Sequence, residues 1–258
     1  MIKRIILILI GLLLLGYIGY TAWQRPALPH GAQPCRGVEV SLHIPEGTAA
    51  FMSEADVLRE IERMQIKTEG TPLEQIDVYQ IEQKLKENPI FSTAEVYLST
   101  STQFLHVDLE QKEALYLVLP DGEHPYYVTR ERGFIPAQPN YTIYVPVVSG
   151  RVKLADALGR IYDLEECLRQ DPDYRDYFGQ CYVDRDGAIT LVPRALGPKI
   201  LLGHSTQWQG MLDKLRAFER EVSGRRGRNA FEYLKLQFEG QVVAKSRFTP
   251  EKSPEANI

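Results

Sequence analysis

The chain has 258 residues, 44% of them hydrophobic and 25% charged, with 30 basic against 34 acidic side chains and a net charge of −4. That composition is ordinary for one or two globular domains and excludes collagen, a disulfide-dense miniprotein and disorder through the bulk of the chain. A sequence pI near 5.8 without a basic stripe gives no footprint for a nucleic-acid partner.

Hydrophobicity is concentrated at the start. Residues 5–23, IILILIGLLLLGYIGYTAW, carry no charge. As a helix they reach about 28 Å, close to the ~30 Å hydrocarbon core of a bilayer. Eleven of them are Leu or Ile, together worth about −3 to −7 kcal/mol of insertion. Tyr17, Tyr20 and Trp23 fall at the far end, where amphipathic rings belong at an interface. A cleaved signal peptide calls for an apolar region of about 7–15 residues and an A-x-A-like site, whereas this run is longer and continues into Tyr-Thr-Ala-Trp. The reading is an uncleaved single-span anchor running from Ile5 through Leu14 and Tyr20 to Trp23. Lys3 and Arg4, on a tail of residues 1–4, place the N-terminus in the cytoplasm by the positive-inside tendency, although Arg25 weakens the asymmetry.

Residues 24–36 include Pro26, Pro29 and Pro34 and read as an extended spacer. Residues 38–44 (VEVSLHI) alternate as a strand. Ser53 with Asp56 opens a helix whose apolar face is Val57, Leu58, Ile61 and Met64. Asp77 with Gln80 repeats the device before Val78, Ile81 and Leu85, and Asn88-Pro89 ends that helix. Ala94, Val96 and Leu98 alternate, residues 99–102 turn, and Leu105, Val107 and Leu109 alternate again as the second arm of a hairpin. The order β-α-α-β-β in about 75 residues predicts a small domain, 37–112, with both helices on one sheet face.

That arrangement, with the run LEQIDVYQIEQKLKENPIFSTAEVYLSTSTQFLHVDLEQKEAL at 73–115, resembles a polypeptide-transport-associated (POTRA) domain. An anchor, one such domain and a β-rich remainder together resemble the FtsQ/DivIB family of bacterial cell-division proteins. Lys112-Glu113-Ala114 departs from the charged residue and proline that usually follow the last strand of the domain in that family.

The remainder, 113–248, predicts strands at 114–119, 126–129 and 141–148, a helix at 153–169, a hairpin at 180–192 turning on residues 184–187, and a strand at 199–203. Trp208, Met211, Leu212, Leu215, Phe218 and Val222 stand at helical spacing and read as the core face of a helix over 206–222. Residues 231–238 and 241–248 flank Glu239-Gly240 as a two-residue hairpin loop, and residues 249–258 read as a disordered tail. The fold class is α+β: a transmembrane helix, a POTRA-like domain and a mixed β domain with two flanking helices.

Motifs for chemistry are missing. Asp184-x-Asp186-Gly187 has its glycine fourth, not sixth, so it is a turn and not an EF-hand. The five histidines lack ligand spacing, and no phosphate-cradling or nucleophile-elbow pattern occurs. Glu165 and Glu166 read as a solvated helix face. Cys35, Cys167 and Cys181 read as separate small thiols, with a Cys167–Cys181 bridge as the other reading. Residues 223–229 (SGRRGRN) read as a glycine cap with cations at a helix C-terminus, or as a contact for an acidic partner. No enzymatic activity, metal or cofactor is expected.

The last strand is the candidate site. Val242, Ala244, Ser246 and Phe248 share one face; Gln241, Val243, Lys245 and Arg247 share the other. As a sheet edge it offers unpaired N–H and C=O groups, and its cations either guard against pairing or select an acidic strand. The family resemblance favours the second reading. It implies that FtsB, held with FtsL, adds a strand at Tyr233 and residues 241–248, chiefly Gln241, Val242, Val243, Lys245, Arg247 and Phe248. It also implies an inner-membrane scaffold with periplasmic domains at the division septum, and leaves self-association open. Two other classes stay in view: an outer-membrane assembly or secretion factor, which would carry a large barrel that this chain lacks, and an anchored peptidoglycan-binding protein.

Overall fold

The computed structural model describes residues 13–17, 20, 33–139 and 142–247. Ile5, Trp23, the tail 1–4, residues 24–32 of the spacer, Phe248 and the tail 249–258 lie outside the described residues. Residues 13–17 and 20 are helical and exposed, Leu14 and Tyr20 among them. Among the described residues no helix is long and apolar enough to cross a membrane.

The first domain is built from β1 (Gly37–His43), α1 (Glu54–Arg63), α2 (Val78–Lys86), β2 (Phe91–Ser99) and β3 (Phe104–Gln111), with sheet order β1-β3-β2. β1 runs parallel to β3, which demands a crossover; the two helices supply it. Both helices start where the sequence puts a cap. Ser53 Oγ accepts from the Asp56 amide at 3.2 Å while Asp56 accepts from the Ser53 amide at 2.8 Å, and Asp77 accepts from the Gln80 amide at 2.9 Å. Val57, Ile61, Ile81 and Leu85 then bury against Val96, Leu105 and Val107. The spacer ends earlier than its prolines suggest. The Leu73 amide donates to the Gln33 carbonyl, the Cys35 amide donates to Thr71, and Cys35 is buried, so residues 33–36 belong to this domain. Backbone pairing with the loop before α2 overrides the proline signal.

The second domain is one nine-stranded sheet, β12-β11-β10-β9-β8-β7-β4-β5-β6. Its strands are β4 (Ala114–Pro120), β5 (Tyr126–Thr129), β6 (Phe134–Pro136), β7 (Val147–Gly150), β8 (Phe178–Val183), β9 (Ile189–Pro193), β10 (Lys199–Gly203), β11 (Phe231–Lys235) and β12 (Val243–Ser246). Helices α3 (Tyr162–Gln170) and α4 (Trp208–Phe218) cover one face, where Val148, Val183, Leu191 and Leu234 meet Leu164, Leu168, Met211 and Leu215. The two domains share apolar contacts: Ala114, Tyr127, Ile135 and Ile143 join the first domain's core, and the Phe51 ring meets Tyr127 edge-on at 5.2 Å.

Several expectations are corrected. The strand expected over 141–148 is confined to Val147–Gly150, with residues 140 and 141 outside the described set, and the short β6 was not foreseen. The helix expected over 153–169 is interrupted at Gly159 by a wide π-type turn. The helix at 206–222 continues past α4 to Arg226 and stops at Gly227, whose φ of +81° makes it the left-handed glycine stop within residues 223–229. All three cysteines are free.

Gly150 of β7 stands in register with Val183 of β8. Its φ is +97°, and a Cβ there would lie 2.1 Å from the Val183 carbonyl oxygen. Gly150→Ala is therefore expected to cost at least about 3 kcal/mol through the unfavourable φ and the forced separation of two central strands. Urea unfolding followed by tryptophan fluorescence reads that loss directly.

Candidate functional site

β12 ends the sheet because the chain turns back once from β11 and is not followed by another described strand. β11 is fixed on both sides, parallel to β10 and antiparallel to β12. Phe231 and Leu234 point into the core, which turns Tyr233 and Lys235 to the face without helices. The register sets Tyr233 beside Lys245, Leu234 beside Ala244 and Lys235 beside Val243. All four residues of β12 are exposed. Among the described residues nothing pairs with its outer side.

The hairpin is not the tight one expected. Lys235 pairs with Val243, so residues 236–242 form the connection. Lys214 of α4 explains this: its ammonium takes the Leu236 carbonyl at 2.6 Å and the Phe238 carbonyl at 2.9 Å, while the Leu236 amide donates to Leu201. Those groups are drawn away from a β11–β12 ladder, and Gly240 (φ +66°) turns the chain later.

The predicted contact residues separate accordingly. Tyr233, Val243 and Lys245 stand together at the edge. The Tyr233 ring lies 5.6 Å from both the Lys235 and the Lys245 ammonium groups. Lys245 also pairs with Glu232 at 2.8 Å, an exposed contact that lowers the Glu232 pKa and raises that of Lys245. Such surface pairs add little to stability and are readily exchanged for an incoming carboxylate. Arg247 donates from its amide to Ala230 (2.8 Å) and from its guanidinium to Gly197 (3.1 Å). Gln241 is exposed within the connection, whereas Val242 is turned partly into the core and away from the edge.

Two further exposed aromatic and aliphatic groups share a depression with Tyr233 and Arg247 and were not singled out from sequence. Tyr182 and Leu196 are exposed and, with Lys199, Leu201, Tyr233 and Arg247, line a shallow depression of about 580 Å³. Tyr182 was visible as the outward residue between buried Cys181 and Val183; Leu196, in a loop, gave no periodic signal.

Elsewhere the other marked groups resolve simply. Asp184 accepts from the amides of Asp186 (3.1 Å) and Ala188 (2.8 Å), closing the β8–β9 turn. Arg228 reaches Glu219 at 3.4 Å, and Arg225 and Arg226 are exposed. Among the described residues no group of three or more His, Cys, Asp or Glu could hold a metal. Glu165 and Glu166 are not one solvated face: neighbouring helical residues point about 100° apart. Glu166 pairs with Arg169 at 2.6 Å, but Glu165 turns inward, where desolvation pushes its pKa up to about 7 against a smaller pull from Arg194.

A small β-α-α-β-β domain leading into a mixed sheet that ends in an exposed strand defines a class, and comparison with known families agrees. Residues 33–110 match the family model of the POTRA-like domain. Residues 117–245, half of the chain, match the model described as FtsQ/DivIB, C-terminal related, and the chain belongs to the FtsQ/DivIB family. No curated protein matches it.

Proposed function

We propose that this protein is a non-enzymatic cell-division scaffold that captures FtsB- and FtsL-like single-span proteins by strand addition at β12 and thereby helps control septal wall synthesis. Residues 5–23 anchor it in the inner membrane, with the N-terminus in the cytoplasm and both folded domains in the periplasm. The observation that carries the reading is β12 itself, the exposed last strand of a nine-stranded sheet, at the end of the segment matching the family model. Backbone groups at such an edge supply affinity to an added strand, and alternate side chains supply specificity. Lys235, Lys245 and Arg247 favour an acidic strand.

The test is a tagged pull-down from detergent-solubilised membranes, comparing the full chain with one ending at Gly240, bound proteins being identified by mass spectrometry. Circular dichroism of both proteins controls for folding. Small single-span coiled-coil proteins should be captured by the full chain alone. Equal capture by both chains removes the docking role from β12, and capture of barrel proteins supports the assembly-factor reading instead.

A further inference from the structure

A second candidate site lies between the two domains. The loop Gly47-Thr48-Ala49 of the first domain, the start of β4, residues 143–146 and α3 enclose a cavity of about 400 Å³. One wall is apolar, formed by Leu115, Ile143, Leu168 and Phe178. Glu165 stands beside it. Glu165 is partly buried, and among the described residues its carboxyl accepts no hydrogen bond and forms no ion pair.

The other charged groups around the cavity form no ion pair with it, although Arg194 draws its pKa down, and the Tyr116 hydroxyl and Cys181 thiol stand near it from the sheet. Glu113 is paired with Arg130, and Arg169 with Glu166. Arg194 is held by the Tyr144 hydroxyl and lies 4.9 Å from that ring's centroid. Arg175 and Asp176, adjacent in sequence, complete the lining. A partly buried carboxyl with no donor is poorly compensated for the water it loses. An apolar wall next to one unpaired carboxyl suits an aliphatic stem with a cationic head, which is how lysine and arginine side chains partition. The volume is at the low end of small-ligand sites, about 300–1,000 Å³, and too small for a folded element.

We propose that this inter-domain cavity binds an aliphatic chain ending in an ammonium or guanidinium group, its head on Glu165 and its stem against Leu115, Ile143 and Leu168. The chemistry is shared by a lysine or arginine side chain of a peptide and by a free diamine. Binding a cation requires the ionised carboxylate, so a proton leaves Glu165 when the ligand enters below about pH 7.

Calorimetric titration of the full chain in detergent tests this with three probes: acetyl-Ala-Lys-Ala-amide, the same peptide with norleucine for lysine, and 1,5-diaminopentane. The lysine peptide or the diamine should bind, and which of them does identifies the source. Affinity should fall about tenfold from pH 8 to pH 6, with proton release detected as a dependence on buffer ionisation heat. Glu165→Gln should weaken binding at least about tenfold and abolish both pH effects. Binding by neither cationic probe, equal binding of the norleucine peptide, or an unchanged Glu165→Gln variant each overturns the proposal.

Discussion

Replacing Ala244 by proline is expected to reduce partner capture at least about tenfold while leaving the hairpin folded. The argument is one of direction along β12. The Arg247 amide donates inward to Ala230, and amides two residues apart on a strand point the same way. Lys245 therefore also donates toward β11, whereas the Ala244 amide is directed at the open side. Proline at 244 removes that donor and puts its ring where an added strand would approach, and proline is tolerated on edge strands when its missing N–H faced solvent. Stability should change by less than about 1 kcal/mol, because no β11–β12 hydrogen bond is removed. Proline at 245 is the contrasting variant: it breaks the ladder and should loosen the hairpin itself. Pull-down with thermal unfolding of both variants separates the outcomes. Full capture by a folded Ala244→Pro protein excludes strand addition at this edge.

What the sequence made legible was local. Ser53 with Asp56 and Asp77 with Gln80 announce helix starts because the capping partners are three residues apart, and the β8–β9 turn is announced by Asp184 and Gly187 for the same reason. The POTRA resemblance likewise rests on the run at residues 73–115, and the family resemblance on that domain together with the anchor and the β-rich remainder; matches on both domains support them. Where the outcome depended on partners far along the chain, the pattern was silent. The parallel pairings β4–β7, β7–β8 and β10–β11 join strands separated by a helix or a long connection, and alternation within a strand says nothing about its neighbour. Glu239-Gly240 looked like a hairpin loop until Lys214, more than twenty residues earlier, took two carbonyls from the connection. The candidate edge shows the same division. Tyr233, Val243 and Lys245 could be placed from strand phase, but Val242 was misplaced by the longer loop, and Tyr182 and Leu196 come to share a depression with Tyr233 only through the sheet order.

Glu165 gives the second large effect, in stability against pH. Its pKa is raised to about 7 from an ordinary 4.5 because burial penalises the carboxylate more than Arg194 favours it. The folded protein thus holds a proton between about pH 4.5 and pH 7 that the unfolded chain has released. Where the native state binds more protons, stability falls as pH rises. The stabilisation is complete below about pH 4.5 and is lost as pH rises through 7. Relative to Glu165→Gln, which cannot titrate, the native protein should gain about 2 kcal/mol on passing from pH 8 to pH 5.5. The difference between the two proteins isolates this group. Glu219, raised by its own burial, shifts both proteins alike, as do Asp56, Glu82 and Glu232, which hydrogen bonds to Ser53, Lys86 and Lys245 hold below the usual carboxylate range. Urea unfolding of the two proteins at several pH values makes the measurement. A constant difference across that interval would mean that Glu165 is already neutralised in the fold, which would also remove the need for a cationic ligand. A difference that grows with acid places an ionisable group between the domains, where a proton or a bound cation bears on the contact of Ile143 and Tyr127 with the POTRA-like core.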